Sequence, residues 1–135
     1  MTLMITIDLE SPVPLEEQLT QEIRRALARG EIVPGDNMPS VRQLAGDLGI
    51  HWNTVARAYR RLRDEGLLVV GRGRGVYVRE SNRRPGKPAP ELREKVRSIL
   101  RDAVTEARLS GLELDAFKDL VSRELEFWEE GRSGS

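Results

Sequence analysis

Residues 40–66 read SVRQLAGDLGIHWNTVARAYRRLRDEG, and their spacing decides the fold. Ser40 opens a Ser-x-x-Gln pattern ending at Gln43, the signature in which a serine hydroxyl satisfies an orphaned N–H at a helix start. Val41, Leu44, Ala45 and Leu48 follow at helical spacing on one face. Gly49 stands where a left-handed residue ends a helix and turns the chain. A second periodic run begins at once, with Val55, Ala58, Tyr59 and Leu62 apolar, and Gly66 closes it. Tyr59 sits at the core spacing. Two short helices across a glycine turn make a helix-turn-helix, whose second helix suits the DNA major groove. The polar side of that helix carries Asn53, Arg57, Arg60, Arg61 and Arg63.

Working outward, LLVVGRGRGVYVRE follows directly. The β-rich runs 67–70 and 76–79 flank Gly71-Arg72-Gly73-Arg74-Gly75, which predicts a hairpin with a basic tip. A basic hairpin behind the second helix of such a pair is the wing of a winged helix-turn-helix. Its glycines let the backbone approach phosphates or the minor groove, and Arg72 and Arg74 supply charge. Upstream, residues 4–9 alternate with Ile5, Ile7 and Leu9 on one side, predicting an edge strand that Pro12 and Pro14 terminate. Residues 15–29 form an amphipathic helix with Leu15, Leu19, Ile23, Ala26 and Leu27 inward, capped by Gly30. Residues 31–39 hold Pro34, Gly35 and Pro39 and read as a loop.

Downstream, the Pro- and cation-rich residues 81–90 form a linker. Leu92, Val96, Ile99, Leu100, Ala103 and Ala107 mark one further helix, which stops at Gly111. Leu114, Phe117, Leu120, Val121, Leu125, Phe127 and Trp128 mark a last one. A two-helix hairpin is too small to cover so wide an apolar surface, which predicts a twofold dimer. The expected fold class is mainly α with a small β wing. Its parts are a winged helix-turn-helix at 1–80, a linker at 81–90, a two-helix dimerisation tail at 91–130 and a frayed end at 131–135. The dimer interface is expected on Leu92, Val96, Ile99, Leu100, Ala103, Phe117, Leu120, Val121, Phe127 and Trp128.

The 135 residues carry 22 cations, 22 acids, one histidine and no cysteine. Net neutrality conceals an asymmetry. From residue 51 to 87 there are ten Arg/Lys against three acids, whereas from residue 91 onward acids lead 11 to 8. The local basic field is what attracts phosphates. Without cysteine there is no disulfide, thiolate zinc site or cysteine nucleophile. A lone histidine, scattered carboxylates and the absence of a phosphate loop argue against an enzyme and against a metal or other cofactor. No apolar run approaches the length of a membrane span, and residues 1–10 lack the build of a signal peptide, so we expect a cytoplasmic protein. A dimeric interaction module binding protein or RNA is the alternative to a DNA-binding regulator.

Across residues 13–78 several motifs stand in order: Arg29-Gly30-Glu31, Pro34-Gly35-Asp36, Pro39-Ser40-Val41-Arg42, Asn53-Thr54-Val55, Glu65-Gly66-Leu67 and Gly73-Arg74-Gly75. This stretch resembles the N-terminal domain of GntR-type bacterial transcription regulators. The short two-helix tail and the run Asn-Thr-Val-Ala-Arg-Ala-Tyr resemble the YtrA subfamily, whose tail dimerises the protein. The resemblance implies a homodimeric repressor acting on double-stranded DNA at an inverted repeat, often at a transporter operon. It implies DNA contacts at Arg42, at Trp52, Asn53 and Thr54, and at Gly73. His51, Arg57, Arg72 and Arg74 complete the candidate set. A small-molecule effector, if the chain takes one, would act by changing the angle between the paired DNA-binding domains. Many relatives have Ser/Thr-Arg where this chain has His51-Trp52, and Arg where it has Ala56. Trp52 has no bidentate pair to offer guanine, so the half-site is expected to differ, with Trp52 packing on a thymine methyl or the backbone.

Overall fold

The computed structural model describes residues 4–71, 73–80 and 90–133. The chain divides into two compact units, Met1–Asn82 and Arg83–Ser135. In the first unit the order is α1 (Leu15–Ala28), α2 (Val41–Leu48), α3 (Trp52–Asp64), β1 (Leu68–Gly71) and β2 (Gly75–Val78).

Helix α2 starts where its cap predicts, with the Gln43 amide donating to Ser40 Oγ at 3.0 Å. It ends on Gly49, whose φ of +69° only glycine adopts without strain, and the Ile50 amide returns to the Ala45 carbonyl. That turn aims the chain straight into α3. Helix α3 packs against α1, α2 and β1, so it is the hub of the unit. Val55, Ala58, Tyr59 and Leu62 are its buried face, meeting Leu19, Ile23 and Ala26 of α1, Leu44 and Ala45 of α2, and Leu68 of β1 in one core. Thr20 is buried as well, its hydroxyl satisfied by the Glu16 carbonyl one turn back.

Tyr59 joins the core as its spacing predicts, and its hydroxyl donates to the Pro39 carbonyl at 2.8 Å. That bond ties α3 to the loop entering α2. Burial pushes the phenol pKa well above its usual value. Tyr59→Phe removes the bond and leaves the carbonyl in a part-buried setting, so we expect a loss of about 1 kcal/mol. Urea unfolding should show a lower midpoint at unchanged slope.

The wing is an antiparallel pair in the register Leu68↔Val78 to Gly71↔Gly75. Residues 31–39, expected as a plain loop, do more than connect. Gly35 and Met38 donate to the Val78 and Val76 carbonyls, and Val78 donates to Asp36, so the segment lines the free edge of β2. Ile32 and Met38 enter the core from it. Proline and glycine obscured that pairing in the sequence, because backbone bonds need no side-chain pattern.

The edge strand expected at residues 4–9 does not form. Among the described residues no strand lies beside it to complete a ladder, and the segment is held from one side chain instead. Gln18 accepts from the Asp8 amide and donates to the Asp8 and Val13 carbonyls. Ile5 and Ile7 still pack on the core, which is what their alternation encodes, while Leu9 is exposed.

In the second unit α4 (Pro90–Leu109) and α5 (Leu114–Ser133) are joined by a turn through Gly111. Helix α5 runs to Ser133, so the end expected to fray from residue 131 is helical for three residues more. One glycine costs about 1 kcal/mol in a helix and does not by itself stop one. No residue of α4 is buried, and among the described residues of the two helices only Ala107 and Phe117, beside the turn, are half-buried. The two helices thus leave their apolar stripes uncovered instead of closing on each other.

Candidate nucleic-acid interface

The first turn of α3 begins on an unusual cap. His51 Nδ1 accepts the Asn53 amide at 3.0 Å, doing what a Ser, Thr, Asp or Asn side chain does at most helix starts. The Thr54 amide reaches the His51 carbonyl. Nothing in the sequence marks this histidine as a cap, because the residue type is not among the favoured ones. The Trp52 ring stacks on the His51 imidazole, centroids 5.5 Å apart and planes 28° apart, and remains 57% exposed. Asn53 and Thr54 are half-buried, and Arg57, one turn beyond Asn53, is exposed.

Arg42, the second residue of α2, is exposed. A shallow hollow between the two helices is lined by Arg42, Ala45, Gly49, His51, Trp52 and Ala56, with Val41, Gly46 and Ile50 at its floor and rim. It brings Arg42 and the His51–Trp52 pair, ten positions apart in sequence, around one surface depression. The helix-turn-helix geometry makes that juxtaposition, since the Gly49 turn folds the start of α3 back beside α2.

The arginines expected at this surface differ in what they hold. Arg42, Arg57 and Arg60 have no ion-pair or hydrogen-bond partner among the described residues. Arg61 lies 3.9 Å from Glu16, and Arg63 pairs with the adjacent Asp64 at 3.3 Å. Arg24 closes a bridge from α1 to Glu65 at the end of α3. On α3, Arg57 and Arg60 are therefore without partners among the described residues, and Arg61 and Arg63 each have an acidic neighbour.

On the wing, Gly73 is exposed with φ of +81°, at the tip between β1 and β2. A side chain there would meet nothing within 4 Å, so the glycine answers to backbone conformation and not to crowding inside the unit. Arg74 folds back along the hairpin toward residues 35–37 while staying exposed. Its guanidinium donates to the Gly35 carbonyl at 2.7 Å and to Asn37 Oδ1 at 3.3 Å, sits 3.5 Å from Glu80 Oε1, and lies 3.9 Å over the Tyr77 ring. It is the strap that holds the wing to the 35–37 segment. The sequence offered Arg74 only as a wing cation, since Asn37 and Gly35 are remote along the chain. Arg72 lies outside the described residues, as does the side chain of Phe127.

The expected dimer residues are placed on two long stripes. Leu92, Val96, Ile99 and Leu100 are 55–59% exposed on α4, and Leu120, Val121 and Trp128 are exposed on α5. Ala103 is exposed too, and Phe117 is half-buried at the turn. No described helix is long and apolar enough to cross a membrane.

A family model described as "Bacterial regulatory proteins, gntR family" matches residues 15–78, the span from α1 to the end of β2. The chain is 33% identical over 121 residues to the HTH-type transcriptional repressor YtrA of Bacillus subtilis (strain 168), covering 87% of this chain and 89% of that protein. It is similar in structure to YtrA from Sulfolobus acidocaldarius, a GntR-family transcription factor. That match has 38% identity and a TM-score of 0.59, and covers 75% of this chain and 97% of the other. AraR(DBD) in complex with operator ORX1 matches at 25% identity and a TM-score of 0.51, covering 55% of this chain and 95% of that one.

Proposed function

This chain belongs to the gntR family of bacterial regulatory proteins, and from that premise we propose that it is a homodimeric repressor reading an inverted-repeat operator. One observation supports the DNA-binding surface above the others. Arg42 near the start of α2 and Arg57 and Arg60 on α3 have no protein partners among the described residues, while Arg61 lies near Glu16 and Arg63 pairs with Asp64. Cations without carboxylate partners are the ones free to displace counterions from phosphates. In this reading α3 enters the major groove with Trp52, Asn53, Thr54 and Arg57 toward the bases. Arg42 and the tip around Arg72 and Gly73 lie against the backbone and fix register. Arg74 serves the wing as the strap that ties it to residues 35–37.

The tail pairs with the tail of a second copy through α4 and α5, which sets two α3 helices for two half-sites. Half-sites are then spaced by about one helical turn, or a multiple of it. Repression follows from occupancy of a promoter, as the name of the Bacillus relative suggests.

Selection of bound sequences from random duplex DNA tests the proposal, and recovery of a palindrome is the expected result. On that operator, Arg57→Ala should weaken binding and, if Arg57 sits on a phosphate, lower the log affinity–log salt slope by about 0.9. If it sits on a base, the loss should be about 1–3 kcal/mol at one position, with relaxed preference there. Arg63→Ala should change neither. Equal effects at Arg57 and Arg63 would remove the distinction on which the interface rests.

A further inference from the structure

Trp52 is the one large aromatic that the first unit leaves exposed among the described residues, and it stands at the head of the most cationic helix. A single exposed apolar side chain is ordinarily unremarked. This one is held in place. His51 Nδ1 is committed to the Asn53 amide, so in the neutral imidazole the hydrogen sits on Nε2 and the ring has lost its freedom to flip. The indole stacks on that fixed ring. The protein thus presents a flat apolar face backed by a ring that is itself hydrogen-bonded, which lowers the entropic cost of using it.

The chemistry of the indole selects what it meets. It has one N–H donor, no acceptor, and a broad apolar face. In the major groove guanine presents two adjacent acceptors, cytosine a donor only, and adenine an acceptor beside a donor. Thymine alone presents a methyl group, with a single acceptor next to it. Apolar face and lone donor match that edge, and no other edge as well. Ala56, one turn along α3, adds a small methyl beside the ring, and the hollow between α2 and α3 leaves room next to both. Arg42 lines the same hollow and brings positive charge that suits a phosphate beside it.

We infer that Trp52 reads the 5-methyl group of a thymine in each half-site, with His51 as the positioning residue that holds the indole against the groove. This rests on the proposal that α3 is the recognition helix, and it adds the base and the atom read. Histidine here has two roles that separate by substitution. His51→Ser keeps a capping oxygen but removes the ring beneath the indole.

The test uses the full chain and the operator recovered by selection. Each thymine is replaced by deoxyuridine, together with its symmetry mate, which deletes one methyl and leaves the hydrogen-bonding edge intact. One thymine per half-site should lose about fourfold in affinity, the worth of one buried methyl-sized group, and the other thymines should not. With Trp52→Ala the same scan should be flat at that position, while thermal melting stays near that of the parent because the ring is exposed. With His51→Ser the sensitivity should shrink with the fold intact, whereas a purely capping histidine predicts a scan identical to the parent. A flat scan in the parent overturns the inference and leaves DNA binding standing, as does a sensitive thymine that ignores Trp52→Ala. Failure to enrich any sequence overturns the recognition-helix proposal itself, and this inference with it.

Discussion

Ile99→Glu is expected to convert the protein to a monomer and to weaken binding to a two-half-site operator by about 10²–10⁴-fold, the factor that linking two binding modules supplies. The reason lies in α4. A helix of 20 residues is about 30 Å long, and none of this one is buried. Isolated helices are marginal in water, and most helical stability in proteins comes from packing an amphipathic face. Leu92, Val96, Ile99 and Leu100 form such a face, and among the described residues nothing in their own unit covers it. Each would gain roughly 1.5–3 kcal/mol on burial, which favours the proposed partner. A second copy is the economical one, because a twofold interface uses the same stripe twice. The same symmetry doubles the damage of a charge near its centre. Sedimentation velocity should report the monomer, and affinity for a single half-site should be unchanged. Melting of the first unit should not move, since Ile99 belongs to the other one. A variant that stays dimeric and binds as before would assign the interface elsewhere.

Much of this architecture was legible in the sequence, and the reason is local. The bounds of α2 follow from Ser40 and Gly49, each of which acts within a few residues. The buried face of α3 follows from a periodicity of four residues, and the wing from two β-rich runs around glycines. What was not legible depends on partners distant in sequence. Residues 4–9 have the alternation of a strand and pack Ile5 and Ile7 as it requires, yet no ladder partner exists for them. Residues 35–38 look like a loop and pair with β2 through backbone groups alone. The candidate site divides in the same way. Arg57 followed from helical phase, and Arg42 and Trp52 from the family resemblance, while the path of Arg74 depends on Gly35 and Asn37, which lie more than 35 positions away. His51 as a cap was hidden for a different reason. Its ring nitrogen substitutes for an oxygen, and composition gives no hint of that.

Leu62→Ala should remove about 2–5 kcal/mol from the stability of the first unit. Leu62 is fully buried on α3, the helix that packs on α1, α2 and β1 alike. It sits in the last full turn, where the Leu67 amide folds back to its carbonyl and sends the chain into β1. The cavity left by truncation would open between elements fixed at both ends, with α1 braced to α3 by Arg24–Glu65 and by the nearby Arg61 and Glu16. Collapse into the cavity is therefore restricted, which places the expected cost toward the upper part of that range. For a unit of this size total stability is roughly 4–12 kcal/mol at 0.05–0.15 kcal/mol per residue, so the loss is a large share of it. Urea titration of the full chain should show the midpoint fall, with Val70→Ala on the exposed wing changing it by less than about 0.5 kcal/mol. DNA binding should follow stability. Below the new melting temperature the variant keeps the operator preference of the parent, because no contact residue has changed, and above it the affinity vanishes together with α3. A variant that melts as the parent does, or that changes its preferred operator while folded, would mean that the core and the reading surface of α3 are not arranged as described.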